Sequence, residues 1–121
     1  MKTILIVDDS PSLRKDLKKL LQPLKNVKVI GEAVDSDGAI RQCNQLSPDF
    51  IILDIDLKNG SGIDVLTKIK NNSPKPTILM FTNYSNNAFR KAAMRRGADY
   101  FFDKTNDVEK LISTLIELSA K

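Results

Sequence analysis

Apolar and polar positions follow two periods along the chain, one typical of strands and one typical of helices. Strand-length segments rich in β-branched or aromatic residues occur at five places, namely 4–7, 27–33, 50–53, 78–81 and 100–102. The run Ile-Leu-Ile-Val at 4–7 has no polar interruption, as expected of a strand buried on both faces. We therefore predict five strands.

The segments between these strands carry apolar residues at helical spacing and capping residues at their ends. Ser10 and Pro11 provide an N-cap and a first-turn proline, and Asp35 caps the second segment. Pro48 and Gly97 stop the second and fourth segments. We predict helices from 11 to about 23, from 36 to 46, from 63 to 69, from 88 to 96 and from 108 to 116.

The strict alternation of strands and helices predicts an α/β fold. Its sheet should be parallel, covered by helices on both sides and connected by right-handed crossovers. The chain has 121 residues, 41% of them hydrophobic, which suits one domain over residues 1–121. We expect no output domain after the fifth helix, and a piece excised from a longer protein is the alternative.

Polar residues useful to phosphoryl chemistry follow four of the predicted strands. Asp8 and Asp9 follow the first strand, Asp54 the third, Thr82 closes the fourth and Lys104 follows the fifth. Ligands of open α/β sheets bind at the carboxyl ends of the strands, where strand order reverses. If the first and third strands are neighbours there, three carboxylates meet and repel one another unless they are protonated or bind a cation. Oxygen ligands of this kind suit Mg²⁺.

Each of these residues also has a simpler structural explanation. Asp8 or Asp9 can favour the start of the first helix through its dipole, and Asp54 can cap the following loop. Thr82 can be an ordinary strand-end residue, and Lys104 a solvated surface lysine. Their joint placement at four strand ends favours the functional interpretation over coincidence.

Composition narrows the functional classes. The net charge is +4 and the pI is about 9.2, but the basic residues are dispersed and aromatic residues make up 6% of the chain. This indicates a modestly basic surface rather than direct nucleic-acid binding. No apolar run approaches the length of a membrane span, and the N-terminus lacks the pattern of a signal peptide. The lone Cys43 excludes an intramolecular disulfide, so we expect a cytoplasmic protein.

At these strand ends the chain resembles the response-regulator receiver domains of two-component signal transduction, over essentially its whole length. The matching stretches are 4–10, 51–54, the strand that ends in Thr82, and 97–104. The stretch 29–33 is most similar to receivers attached to helix-turn-helix output domains. The resemblance implies a flavodoxin-like fold, doubly wound by five helices, with strand order 2-1-3-4-5.

The same resemblance implies a role for each matching residue. Asp54 is the phosphoacceptor, Asp9 binds Mg²⁺ directly, Asp8 binds it mainly through water, and the backbone carbonyl of Asp56 completes the ligands. Thr82 then hydrogen-bonds the phosphoryl oxygen and Lys104 pairs with its charge. Phe101 matches the aromatic position that moves inward together with the threonine.

Partners also follow from the resemblance. An ionised carboxylate attacks without a general base, and the chain has no histidine, so the phosphoryl donor is another molecule. We expect a histidine kinase, a phosphotransfer protein or a small acyl phosphate. Helix 4, strand 5 and helix 5 are the expected surface for an unknown output protein or a homodimer. Basic residues lie on or beside it and are either solvated or dock an acidic partner: Arg90, Lys91, Arg95 and Arg96.

The sequence departs from the family pattern at several positions. Thr105 stands where a cis proline usually follows the lysine, and because a non-proline cis bond costs about 2.5–4 kcal/mol, we predict a trans bond or a strained loop. The placement of Lys104 depends on that loop. Leu57 and Lys58 replace the usual Met-Pro, and Asn83 replaces a small residue and narrows the approach to the acceptor.

Asp56 is the departure with the clearest chemical consequence. Two residues beyond the acceptor, its side chain is expected at the mouth of the site. There it either repels or blocks incoming water, or orients water as a base. On charge grounds we favour the first effect and a long-lived phosphorylated state.

Two rival functions fit parts of the sequence. Residues 53–56, Leu-Asp-Ile-Asp, are similar to the nucleophile motif of haloacid-dehalogenase-type phosphatases, in which Asp54 would attack and Asp56 would be the acid/base. That motif normally closes the first strand, and here it closes the third. The second rival is a constitutive adaptor with the same fold, which binds its partner whatever the state of Asp54.

Overall fold

A computed structural model describes residues 1–121 and contains a five-stranded parallel sheet. Its strand order is β2-β1-β3-β4-β5, so the predicted order is confirmed. The elements are β1 Lys2–Val7, α1 Pro11–Leu21, β2 Val27–Ala33, α2 Ser36–Leu46, β3 Phe50–Leu53, α3 Gly62–Ile69, β4 Thr77–Thr82, α4 Asn87–Arg95, β5 Tyr100–Asp103 and α5 Val108–Ser119.

Successive residues of each central strand pack on opposite faces of the sheet. In β1, Leu5 and Val7 join a cluster with residues of α2, α3 and α4, whereas Ile4 and Ile6 join a cluster with residues of α1 and α5. Both clusters are fully enclosed, which explains why the strands read as continuous apolar runs. Cys43 lies in the first cluster, where burial raises the pKa of its thiol.

Element boundaries agree with the prediction to within two residues, except that α5 continues to Ser119 rather than ending at 116. α1 ends at Leu21 rather than near Pro23, because a proline has no N–H to donate to a further helical turn. α4 begins at Asn87, one residue earlier than predicted, because the Asn86 side chain caps it by accepting a hydrogen bond from the Phe89 N–H. None of the helices is both long and apolar enough to cross a membrane.

The carboxyl ends of the strands lie in register along one side of the sheet. Backbone hydrogen bonds continue the ladder one residue beyond β1, β3 and β5. The N–H of Asp8 donates to the carbonyl of Ala33, and the N–H of Asp54 donates to Val7, each at 3.0 Å. The N–H of Lys104 donates to Thr82 at 3.0 Å. The backbone therefore places the predicted site residues at one edge of the sheet.

Candidate functional site

Lys104 joins two buried carboxylates from different strand ends. Its Nζ lies 2.8 Å from Oδ2 of Asp8 and 2.8 Å from Oδ2 of Asp54. Burial has the largest single effect and lowers the pKa of Lys104, but the hydrogen bonds with Asp54 and Asp8 and the charges of these carboxylates together outweigh it and raise this pKa. Burial raises the pKa of Asp8, against the opposing effect of the lysine. Lys104 is thus a paired lysine inside the site and not a solvated one.

The three predicted aspartates converge. Carboxylate oxygens of Asp8, Asp9 and Asp54 lie within 4.8 Å of one another. Asp8 and Asp54 are only 2% and 4% exposed, whereas Asp9 is exposed to solvent. Three carboxylates face one lysine, so the cluster keeps excess negative charge when all are ionised. An all-oxygen set open on one side fits Mg²⁺, which binds a few carboxylates and keeps several waters.

Asp8 also has the simpler structural role that the sequence suggested. Its Oδ1 accepts a hydrogen bond from the Ser10 N–H at 2.9 Å, at the start of α1. The Ser10 hydroxyl in turn accepts from the Leu13 N–H at 3.3 Å and caps the helix. The other oxygen of Asp8 binds Lys104, so one carboxylate serves both the helix start and the site.

The loop that follows Asp54 is held at several points. Asp56 and Ser61 form an isolated antiparallel bridge, which closes the loop on itself. The N–H of Ser36 donates to Asn59 and the N–H of Lys58 donates to Val34, each at 3.1 Å. The loop is therefore anchored to the segment between β2 and α2. This anchoring fixes the backbone of Asp56, whose carbonyl is the Mg²⁺ ligand that the resemblance to receiver domains implies.

Gly62 lets the first turn of α3 approach the acceptor. A Cβ built on Gly62 would overlap the carbonyl oxygen of Asp54, so no larger residue fits without movement of the backbone. The N–H of Gly62 donates to the carbonyl of Ile55 at 2.8 Å. Ser61 caps the helix beside it by accepting from the Ile63 N–H at 3.1 Å. The acceptor backbone is thus in direct contact with α3.

Thr82 and Phe101 lie near the site without touching the acceptor. Thr82 is fully buried, and its hydroxyl accepts a hydrogen bond from the Tyr84 N–H at 3.1 Å; no hydrogen bond joins it to Asp54. Phe101 is buried in the cluster beneath α4. The Arg90 guanidinium lies over the Phe101 ring, 4.7 Å from its centroid. The basic residue Arg90 is therefore packed on the predicted switch aromatic.

The loop after β5 places Lys104 without a cis proline. The Lys104–Thr105 bond is trans, as predicted. Two hydrogen bonds between Asp103 and Asp107 close the loop. The Asp103 N–H donates to the side-chain Oδ2 of Asp107 at 2.9 Å, and the Asp107 N–H donates to the backbone carbonyl of Asp103 at 2.9 Å. Oδ2 of Asp103 also accepts from the Asn106 N–H at 3.1 Å. These bonds hold the turn that the missing proline would otherwise constrain.

A cleft of about 410 Å³ gives access to the acceptor. Exposed Asp56 and Asn83 line it, as the sequence predicted, and Asp16 of α1 lines it as well. Its lining residues are Asp9, Ser10, Ser12, Leu13, Asp16, Asp54, Asp56, Asn83, Tyr84 and Lys104. Three exposed aspartates thus surround the entrance to a site whose interior holds one lysine.

Sequence reasoning missed two residues that support the site. Arg14 of α1 donates from Nη1 to the carbonyl of Asp8 at 2.6 Å and from Nε to Glu32 at 2.9 Å, so it fixes the backbone beside the acidic pair. Tyr84 holds the hydroxyl of Thr82 through its N–H. The position of Arg14, one turn after the Ser10 cap, was the available signal, whereas a backbone contact such as that of Tyr84 leaves no trace in the sequence.

Comparison with known proteins agrees with this geometry. The profile of the response regulator receiver domain matches residues 4–116. The nitrate/nitrite response regulator protein NarL of Escherichia coli K12 is 31% identical over 118 residues, which are 98% of this chain and 55% of that protein. A protein-glutamate methylesterase/protein-glutamine glutaminase of Idiomarina loihiensis is 34% identical over 110 residues, 88% of this chain and 28% of that enzyme. The chain thus spans about half the length of NarL.

Solved structures show the same fold. A LuxR-family two-component response regulator from Aurantimonas sp. SI85-9A1 superposes with a TM-score of 0.90 at 28% identity, over 99% of this chain and 86% of that one. The response regulator domain of Thermotoga maritima CheB gives a TM-score of 0.87 at 28% identity, over 99% and 94% of the two chains. With its strand order, its convergent aspartates and this match along its length, the chain belongs to the family of response regulator receiver domains.

Proposed function

We propose that the protein is a phosphorylation-dependent signalling switch whose Asp54 accepts a phosphoryl group from a histidine kinase or a phosphotransfer protein. The observation that carries this proposal is the placement of Asp54. It is a buried carboxylate paired with Lys104 at 2.8 Å and lies within 4.8 Å of two further carboxylates, at the base of an open cleft. Membership of the receiver family supports the same function. The proposal places the reaction in the cytoplasm.

The chemistry requires positioning rather than a catalytic base. A carboxylate oxygen of Asp54 attacks phosphorus, the bond from phosphorus to the donor's imidazole nitrogen breaks, and its electron pair stays on that nitrogen. Oδ1 is the freer oxygen, because it accepts only a long 3.4 Å hydrogen bond from the Asp56 N–H. Mg²⁺, held by Asp8, Asp9, Asp54 and the Asp56 carbonyl, would supply positive charge opposite the phosphoryl oxygens. Lys104 supplies the remaining positive charge.

The signal would pass through Thr82. The Thr82 hydroxyl accepts a hydrogen bond from the Tyr84 N–H in this structure. To donate its own proton to a phosphoryl oxygen, the same hydroxyl would turn toward Asp54. Phe101, which is already buried beneath α4, would then repack within that cluster and carry with it the contact with Arg90. Phosphorylation shifts this equilibrium only by its differential interaction with the two states. The surface of α4, β5 and α5 is the proposed site for an output protein or a homodimer.

The phosphatase rival is less well supported. Asp54 follows the third strand of the sheet, and the family match along residues 4–116 is to receivers. The similarity to a methylesterase does not favour an enzyme over a receiver, because the chain matches only 28% of the length of that protein. Multiple turnover of a generic phosphomonoester would support a phosphatase, and one stable phosphoryl group per chain would support the switch.

Phosphotransfer followed by intact-mass measurement tests the proposal. We expect wild-type protein incubated with Mg²⁺ and a small acyl or imidazole phosphate to gain the mass of one phosphoryl group, and Asp54→Asn to gain none. Asp64→Asn is the matched control, since Asp64 is an exposed aspartate of α3 outside the cleft. Wild-type protein that stays unlabelled with every donor would contradict the proposal.

A further inference from the structure

A second groove lies far from the chemistry, between α1 and the outermost strand β2. It has a volume of about 410 Å³ and shares no lining residue with the acidic cleft. Its apolar lining comes from Leu21 of α1 and from Val27 and Val29 of β2. Its other lining residues are Lys15, Lys18, Lys19, Gln22 and Lys28. The groove is therefore an apolar strip bordered by lysines, with no carboxylate among its lining residues.

The positive charge of the groove is mostly uncompensated. Helical spacing places Lys15, Lys18 and Lys19 on one side of α1, and all three are exposed. Lys18 pairs with Glu32 at 2.8 Å, whereas Lys15, Lys19 and Lys28 form no ion pair. An anionic partner would thus meet three free ammonium groups around an apolar floor.

The edge of β2 offers hydrogen bonds over the same stretch. β2 pairs with β1 on one side only, so the outward backbone groups of its first residues have no strand partner. Further along, the carbonyl of Glu32 is occupied by the Gln42 side chain, and its carboxylate by Arg14 and Lys18. The part of the edge that lines the groove is residues 27–29, before the register shift at residue 30 and directly beside the lysines.

We propose that this groove binds an extended, acidic segment of a partner protein, added as a strand beside β2. Its carboxylates would pair with Lys15, Lys19 and Lys28, and an alternate apolar side chain would lie against Val29, the partly exposed apolar residue of the groove. The same lysines repel a second copy of this edge, so they select an acidic strand and disfavour self-pairing. Nucleic acid fits less well, because the lining contains neither arginine nor an aromatic ring for base stacking. This binding site goes beyond the proposed phosphorylation and does not depend on it.

Binding of designed peptides tests the inference. The probe is a short fluorescent peptide that alternates glutamate and valine, and its controls are a lysine-valine peptide and a polyglutamate peptide. We expect the first to bind with an affinity that falls with salt, and the controls to bind at least several-fold more weakly. Cross-peaks of residues 27–29 and of α1 should shift in amide NMR spectra of the wild-type protein.

Charge-reversal variants locate the site. Lys15→Glu, Lys19→Glu and Lys28→Glu combined should weaken binding about tenfold or more, on the scale of three partly exposed ion pairs. The control triple Lys68→Glu, Lys70→Glu and Lys121→Glu makes the same change in net charge at exposed lysines outside the groove and should bind as wild type does. Asp54→Asn should also bind normally, which separates this site from the phosphorylation site.

Four results would overturn the inference. Equal binding by the two triple variants would show that only net charge matters. Amide shifts confined to other surfaces would place the peptide elsewhere. Tighter binding of a DNA duplex than of the acidic peptide, or concentration-dependent self-association lost in the groove variant, would assign the groove to nucleic acid or to a second copy of this chain.

Discussion

Lys104 and Asp8 each form two polar contacts at this site. Lys104 compensates two carboxylates with one ammonium group, and Asp8 divides its oxygens between that lysine and the Ser10 N–H. Buried charges persist only when they are paired, so removing Lys104 would leave two carboxylates uncompensated. The residues proposed to bind the phosphoryl group thus also pair the buried charges of the resting site.

Asp56 is expected to lengthen the life of the phosphorylated state. Its exposed carboxylate lines the cleft through which water reaches the acceptor, and its charge opposes an incoming hydroxide-like nucleophile. Asp56→Asn should therefore shorten the aspartyl-phosphate lifetime by a few-fold to about tenfold, the scale of one partly screened charge. The decay of the phosphorylated mass after donor removal measures this. Asp64→Asn, an exposed aspartate of α3 outside the cleft, is the control, and a longer lifetime in Asp56→Asn would refute the expectation.

At the scale of elements, α1 is attached to the sheet by a charged network. Arg14 and Lys18 both bind Glu32 of β2, and Arg14 also reaches the Asp8 carbonyl. The hydrogen bond from Lys18, with help from Arg14, lowers the pKa of Glu32 below its ordinary 4.5. The network therefore connects the edge strand to the backbone of the acidic site.

Acid should weaken this attachment. Because the pKa of Glu32 is lowered in the folded state, its contribution to stability is present above about pH 4.5 and is lost as pH falls through the lowered value. Glu32→Gln should reduce the free energy of unfolding at pH 7 by no more than about 1 kcal/mol, because the pair is partly exposed. Urea unfolding at pH 7 and at pH 3 measures the difference, which should shrink at pH 3. Glu117→Gln, exposed and unpaired, should show no such trend.

The contact between α3 and β3 makes Gly62 a sensitive position. Gly62→Ala places a Cβ on the carbonyl oxygen of Asp54 and forces the backbones apart. We expect a loss of about 1–3 kcal/mol in unfolding free energy, as for other overpacked sites, together with slower phosphoryl labelling. Urea unfolding and the labelling rate measure the two effects. Lys68→Ala, on the exposed side of α3, is the control, and wild-type behaviour in Gly62→Ala would contradict the described contact.

Elements with a strong local signal were predictable, and contacts between elements were not. The bounds of β3 follow from the sequence because its apolar run is flanked by Asp49 and Asp54, and Asp54 follows from its place after β3. The convergence of the aspartates followed once strand order was taken from the family. The bond from Arg14 to Asp8, the contact of Gly62 and the loop closed by Asp103 and Asp107 depend on distances across the fold. No periodicity encodes such distances.

At the scale of the whole molecule, the sheet separates two hydrophobic layers with different roles. The layer with α2, α3 and α4 contains Phe101 and borders the site, whereas the layer with α1 and α5 contains Phe102. Adjacent residues of β5 thus belong to opposite sides of the protein. A movement of Phe101 is expected to affect α4 more than α1.

A phosphoryl mimic should reveal this asymmetry. With Mg²⁺ and beryllofluoride, we expect amide NMR signals of α4 and β5 to change beyond the immediate site, whereas signals of α1 distant from the cleft change little. Asp54→Asn should show no response under the same conditions. Silence in α4 and β5 of the wild-type protein would favour the constitutive adaptor over the switch.

The close approach of Gly62 to Asp54 also gives the acceptor a preferred direction of response. On the side of α3 the main chain of Asp54 has no free space, since even a methyl group on Gly62 would overlap its carbonyl oxygen. On the opposite side the hydroxyl of Thr82 is restrained by one hydrogen bond from Tyr84. A shift of the Asp54 backbone after phosphorylation is therefore expected toward β4 and β5 rather than toward α3, so the close packing of one peptide unit favours relay through α4.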